Sequence, residues 1–210
     1  MSASPFAPPP DRLVDAGHQQ LGRFAGPVRA NLVDAPYRGL PRFLRRWRLK
    51  EWQAVQVTSP TLFVNVALVN TKLVALVQVK AFDRVAGVKH LHERKLPPWA
   101  FAPSQTMLDS TVAFRDCTSA VAFTNQLARG QVAVDVDVAA HGHGPAMRGR
   151  IELATDQGAA QVVNLPFTHG SIYSHKGLFP VRGELQIGDT VHPLDGAVGT
   201  LDDHKAYYPY

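Results

Sequence analysis

The sequence predicts an all-β, antiparallel protein, and three observations carry that prediction. Apolar residues recur with period two over most of the chain, clusters of Gly, Pro, Asn and Asp punctuate the runs, and no long amphipathic helix pattern is present. The clearest run sets Val132, Val134, Val136 and Val138 against Gln131, Ala133, Asp135 and Asp137, a half-buried strand with its acids in water. Roughly nine such runs give an antiparallel barrel or sandwich with little helix. Closed barrels of about eight strands hold one small ligand, which points to an apolar pocket.

Taken in order, residues 1–12 are proline-rich and read as a disordered tail. Up to about Tyr37, Gly17, Gly22, Gly26 and Pro27 favour turns and short extended pieces. Residues 46–57 read as a strand. Trp47, Leu49, Glu51, Gln53, Val55 and Val57 share one face, and Arg46, Arg48, Lys50 and Trp52 share the other. Residues 61–69 and 72–83 form a hairpin about Asn70-Thr71, both runs crowded with Val and Leu. Residues 85–105 carry Pro97, Pro98 and Pro103 and read as a long excursion. Weaker strands at 111–114 and 120–125 flank a turn at Arg115-Asp116-Cys117. After the strand at 131–138, the residues His141 to Pro145 make a turn. Strands at 148–155, 159–165, 181–187 and 190–194 continue the series, with Gly188-Asp189 as a hairpin turn.

Composition narrows the function classes. The net charge of +5 is local: Arg38, Arg42, Arg45, Arg46, Arg48 and Lys50 lie in one acid-free segment, and the remaining basic and acidic residues nearly balance. A nucleic-acid binder spreads its cations and interleaves aromatics, so RNA is the lesser alternative, kept open by Trp47 and Trp52 beside the cluster. No run approaches the roughly 20 apolar residues of a membrane helix. A single cysteine, Cys117, suits a reducing compartment, and a cytoplasmic protein is expected. Dinucleotide, P-loop, paired-cysteine zinc and nucleophile-elbow motifs are absent, and no cofactor is expected. The pairs His90/His92 and His141/His143 read as surface histidines rather than metal ligands.

Three strings carry a resemblance: Arg48-Leu49-Lys50-Glu51-Trp52; Tyr173-Ser174-His175-Lys176 with Pro180-Val181-Arg182-Gly183-Glu184-Leu185; and Leu201-Asp202-Asp203-His204 with Tyr208-Pro209-Tyr210. Together they resemble the domain-of-unknown-function family 2804, over about Leu13 to Tyr210. That family is similar to the lipocalin-like group of carotenoid hydratases and tocopherol cyclase. The resemblance implies a lipocalin-like (calycin-type) barrel or strongly curved sheets, with a domain at 13–200. It also implies that residues 201–210 begin a second barrel half that this chain lacks. An unpaired edge would then suit a homodimer.

Related groups bind isoprenoid or polyketide substrates and use acid chemistry on a double bond. The resemblance therefore implies an apolar small-molecule ligand, with acid-type hydratase, isomerase or cyclase activity as the stronger version. Such chemistry needs a carboxyl in an apolar cavity and groups that stabilise a carbocation. Glu51 and Asp202 are the candidate proton donors, and Trp47, Gln53, Trp52, His175 and His204 the candidate ligand-binding residues. A non-catalytic binding or scaffold protein is the alternative.

Overall fold

Valine and leucine crowd the runs between turn residues, and β-branched side chains pack well on a pleated surface. The computed structural model describes residues 6–36, 38–142, 144–167 and 170–208 and is built of strands. Short strands β1 (Val14–Asp15), β2 (His18–Gln19) and β3 (Gly22–Phe24) precede the helix α1 (Arg42–Arg48). Four strands follow: β4 (Lys50–Thr58), β5 (Leu62–Asn70), β6 (Ala75–Asp83) and β7 (Val88–Leu96). Then come β8 (Ser110–Arg115), β9 (Ser119–Gln126), β10 (Gln131–Val138) and β11 (Met147–Ala154). The last are β12 (Ala159–Phe167), β13 (Gly170–Ile187), β14 (Thr190–Pro193) and β15 (Val198–Ala206).

Neighbours pair antiparallel in the order β7-β6-β5-β4-β15-β13-β11-β10-β9-β8, one strongly curled sheet. The 18-residue β13 is its spine. Its first half lies between β12 and β15, its second between β11 and β14. The two ends of the order meet through side chains. His92 on β7 lies 2.9 Å from Ser119 Oγ on β9, and Arg94 bridges Asp116 at 2.8 Å. One apolar cluster fills the curl, with Val55, Val66, Val79, Phe123, Val134 and Leu185 among its members. A second joins the 13–35 segment to Leu49, Val162, Tyr173 and Tyr207.

The structure corrects several expectations. Residues 42–48 are helical, so the strand expected at 46–57 begins only at Lys50. They contain no β-branched residue, Pro41 stands at the N-cap, and Arg45, Arg46 and Arg48 in the last turn complement the helix dipole. From Lys50 onward the predicted alternation holds, with Glu51, Gln53, Val55 and Val57 buried and Gln56 and Thr58 exposed. The proline-bearing excursion contains β7, whose charged, largely exposed residues suit a sheet edge and hide its strand character. The strand predicted at 181–187 begins at Gly170. Gly177 lies within it, where a Cβ would sit 2.1 Å from the Phe179 ring, which occupies that space. Pro180 sits where β13 exchanges β15 for β11, so its missing N–H falls at the end of one ladder.

The proposed division after residue 200 falls inside β15, a central strand between β4 and β13. In the Pro-rich opening segment, the Ala7 amide donates to Arg23 O and its carbonyl accepts from Ala25, so the described part is tied to β3; residues 1–5 lie outside the described residues. His141 and Gly144 bridge across the predicted turn, and His143 is outside the described residues. No described helix is long and apolar enough to cross a membrane, a statement that leaves β-barrel spanning untouched.

Candidate functional site

Between the two apolar clusters the inner face of the sheet carries a polar layer. Register places Asn164, Tyr173, Lys205, Glu51 and Asn70 directly opposite one another across β12, β13, β15, β4 and β5. One step along, the row reads Val162, His175, Asp203, Gln53 and Leu68. Residues directly opposite in an antiparallel pair share a face, so both rows point inward. All the polar members are buried, Lys205 completely.

The layer is cross-linked. Lys205 Nζ lies 2.9 Å from Asp203 Oδ1 and 5.7 Å from the centre of the Tyr173 ring. The Gln53 amide donates to Asn125 Oδ1 at 2.6 Å, joining β4 to β9 across the curl. Glu51 accepts from the Lys72 ammonium at 2.6 Å and from the Gln105 amide at 3.1 Å. Burial dominates the electrostatics. It pushes the Tyr173 hydroxyl well above its ordinary pKa, helped by the Asp203 charge. It raises the Asp203 carboxyl despite the Lys205 ammonium beside it. It lowers His175 to about 4, with the Lys205 charge acting in the same sense, so this imidazole is neutral at physiological pH.

A cavity of about 520 Å³ opens at the Glu51 end of the layer. Trp47, Leu49, Trp99 and Phe101 supply its apolar wall, and Glu51, Asn70 and Lys72 form part of its polar lining. Asn70 holds the wall in place, donating to Pro98 O at 2.7 Å and Phe101 O at 3.2 Å. The proline-rich segment after β7 therefore serves as one side of the cavity. A second cavity of about 520 Å³ lies at the His175 end, beside Val162, Phe179 and Thr155. The Nδ1 atom of His175 and the hydroxyl of Thr155 are buried there without a hydrogen-bond partner among the described residues.

The residues predicted from sequence fall into two groups. Glu51, Gln53 and His175 lie in the inner layer, and Trp47, on α1, reaches the first cavity. Trp52, Asp202 and His204 occupy the outer face of the same strands, because each is one residue out of step with its inward neighbour. They form a cluster of their own. Trp52 stacks on His204 with ring centres 4.1 Å apart, His204 Nε2 is 2.7 Å from the Tyr208 hydroxyl, and Trp52 Nε1 donates to Asp202 Oδ2 at 3.3 Å. Lys176 pairs with Asp202 at 3.5 Å. Burial lowers His204 to about 4.

Sequence reasoning missed Lys72, Gln105, Tyr173, Asp203 and Lys205 as members of the inner site. Alternation within β15 and β13 would have grouped Tyr173 with His175, and Asp203 with Lys205, but only strand pairing brings these pairs to Glu51. Among the described residues no group of three or more His, Cys, Asp or Glu side chains could hold a metal ion.

The chain matches the family described as "Domain of unknown function (DUF2804)" over residues 13–210, and it belongs to that family. No curated protein matches it. Among solved structures it is similar in fold to "Crystal structure of CghA with Sch210972", at 10% identity and a TM-score of 0.53. That similarity covers 76% of this chain and 46% of the other, so the chain spans about half the length of the structure it matches.

Proposed function

We propose that this member of the DUF2804 family binds an apolar small molecule, an isoprenoid or lipid, in the cavity between α1, the end of β4 and the 98–105 segment. The observation that carries the reading is the cavity itself. It places two tryptophans, Leu49 and Phe101 around a space of about 520 Å³ that ends on a buried, paired carboxylate. Ligand sites are typically apolar clefts of about 300–1,000 Å³ with a few convergent polar groups. That the similar fold of CghA was solved with Sch210972 supports the reading of this fold as one that holds a ligand.

For acid-type turnover of a double bond, Glu51 is the one of the cavity's two carboxyls that stands at the end of the sheet's polar layer, the other, Asp34, being bound to Arg42. Lys72 and Gln105 orient Glu51. Asp202, on the outer face, takes no part in this reading. Native mass spectrometry of the purified chain, followed by solvent extraction of whatever it carries, tests the proposal. A discrete apolar adduct that is lost on replacing Trp99 and Phe101 together with alanine is the expected result. An adduct retained by that variant would overturn the assignment to this cavity. So would a bare chain whose tryptophan fluorescence fails to respond to added isoprenoids and fatty acids.

A further inference from the structure

The charges around the first cavity do not cancel. Four cations, Arg29, Arg42, Arg46 and Lys72, line it against two carboxylates, Asp34 and Glu51. Two of the cations are already used. Lys72 is bound to Glu51 at 2.6 Å with both side chains nearly buried, and Arg42 is bound to Asp34 at 2.9 Å. Burial alone would raise the Asp34 carboxyl. Hydrogen bonds from Arg42 and Asn31, with the charges of Arg42 and Arg29, outweigh it and hold the group below its ordinary range, so the pair is ionised.

Arg29 and Arg46 remain. Neither guanidinium has a side-chain hydrogen bond or ion-pair partner among the described residues, and they come from separate segments, Arg29 from the chain after β3 and Arg46 from α1. A guanidinium keeps its charge at any physiological pH and presents a planar fork that matches carboxylate and phosphate oxygens. Beside them stand Trp47, Trp99 and Phe101, a wall with no charge of its own. The opening is thus cationic and one wall apolar, a division that suits a molecule with the same two halves.

We propose that the cavity takes an amphipathic anion, an apolar body ending in a carboxylate or phosphate, with the acid group held by Arg29 and Arg46 and the body against Trp99 and Phe101. This rests on the reading of the cavity as a ligand site and deepens it by naming the chemical class.

The test compares four probes that share one alkyl chain: decanoate, decyl phosphate, decanol and methyl decanoate. Binding is followed through tryptophan fluorescence, since Trp47 and Trp99 line the cavity and Trp52 lies on the outer face. The acid probes should bind at least about tenfold more tightly than the alcohol and the ester, as expected for charge-assisted hydrogen bonds. Added salt should weaken the acids alone. The preferred acid identifies the headgroup, planar or tetrahedral. The double variant Arg29→Gln/Arg46→Gln should lose that advantage and keep the affinity for methyl decanoate. Arg148→Gln, on β11 and paired with Asp137, should change nothing. Equal binding of acid and ester, or an acid preference that survives the double variant, overturns the headgroup assignment and leaves the cavity standing. If none of the four binds, the cavity reading falls with it.

Discussion

Lys205 and Asp203, two residues apart on β15, form an ion pair of 2.9 Å on the inner face of the sheet, with side-chain exposures of 0% and 5%. Taking two charges out of water is costly, and the pair persists because each is the other's compensation. Its position explains its surroundings: Tyr173 stands over the ammonium, and Gln53 and His175 flank the carboxylate across β4 and β13.

Removing one partner strands the other. Lys205→Met should cost about 3–5 kcal/mol, the usual penalty for leaving a buried charge uncompensated, and the double variant Lys205→Met/Asp203→Leu should recover most of it. Urea denaturation of the three proteins measures both numbers. A single variant as stable as the parent would show that the pair is hydrated.

Acid should destabilise the fold through its buried histidines. Burial lowers three of them, His175 and His204 to about 4 and His92 in the same direction, so in the folded chain they resist protonation while in the unfolded chain they protonate near 6.5. The unfolded state thus binds more protons between about pH 6.5 and 4, and stability falls as pH drops through that window, with no contribution above it. Each histidine accounts for a slope of up to about 1.4 kcal/mol per pH unit. Denaturation midpoints measured from pH 7 to 4 should show the decline, and His175→Gln should make it shallower.

The two faces of β4 and β15 should respond separately to mutation. Glu51→Gln keeps the shape of the carboxylate but loses its charge on Lys72, and should change ligand binding or turnover in the adjoining cavity. Asp202→Asn should leave both unchanged, because Asp202 faces Trp52 and Lys176 outside. Parallel titrations of the two variants with a ligand recovered from the native chain settle the matter. A loss with Asp202→Asn that equals the loss with Glu51→Gln would contradict the division.

Gly177→Ala should be more harmful than its size suggests. The new methyl would sit 2.1 Å from Cζ of Phe179, a ring buried in the main core. Overpacking of this kind costs about 1–3 kcal/mol. Thermal melting reads the shift, and the companion change Phe179→Leu, which frees the space, should make Gly177→Ala less costly than it is alone.

Much of the fold was legible from local pattern. Period-two alternation located β10 and β11 within a residue and set Glu51 and Gln53 on one face with Val55 and Val57, while the Val- and Leu-rich runs about Asn70-Thr71 located β5 within a residue and β6 within three. What escaped it was where another force outweighed alternation. Helix propensity took residues 46–48 from the expected strand, and an edge position made β7 polar.

The amino-acid sequence by itself determined the fold class, the turns and the face on which each side chain of a strand must lie, because these depend on residues a few positions apart. It marked Asp202 and Asp203 as one acidic motif. Only the tertiary structure decided that Asp203 turns inward to Lys205 and Asp202 outward to Trp52, and that Glu51 meets Lys72 and Gln105 at a cavity. A one-residue step reverses the face of a strand, and which face is interior depends on the strands that pair beside it. Those partners stand far away in the chain, as β4 and β15 do, joined by a ladder that no local signal records.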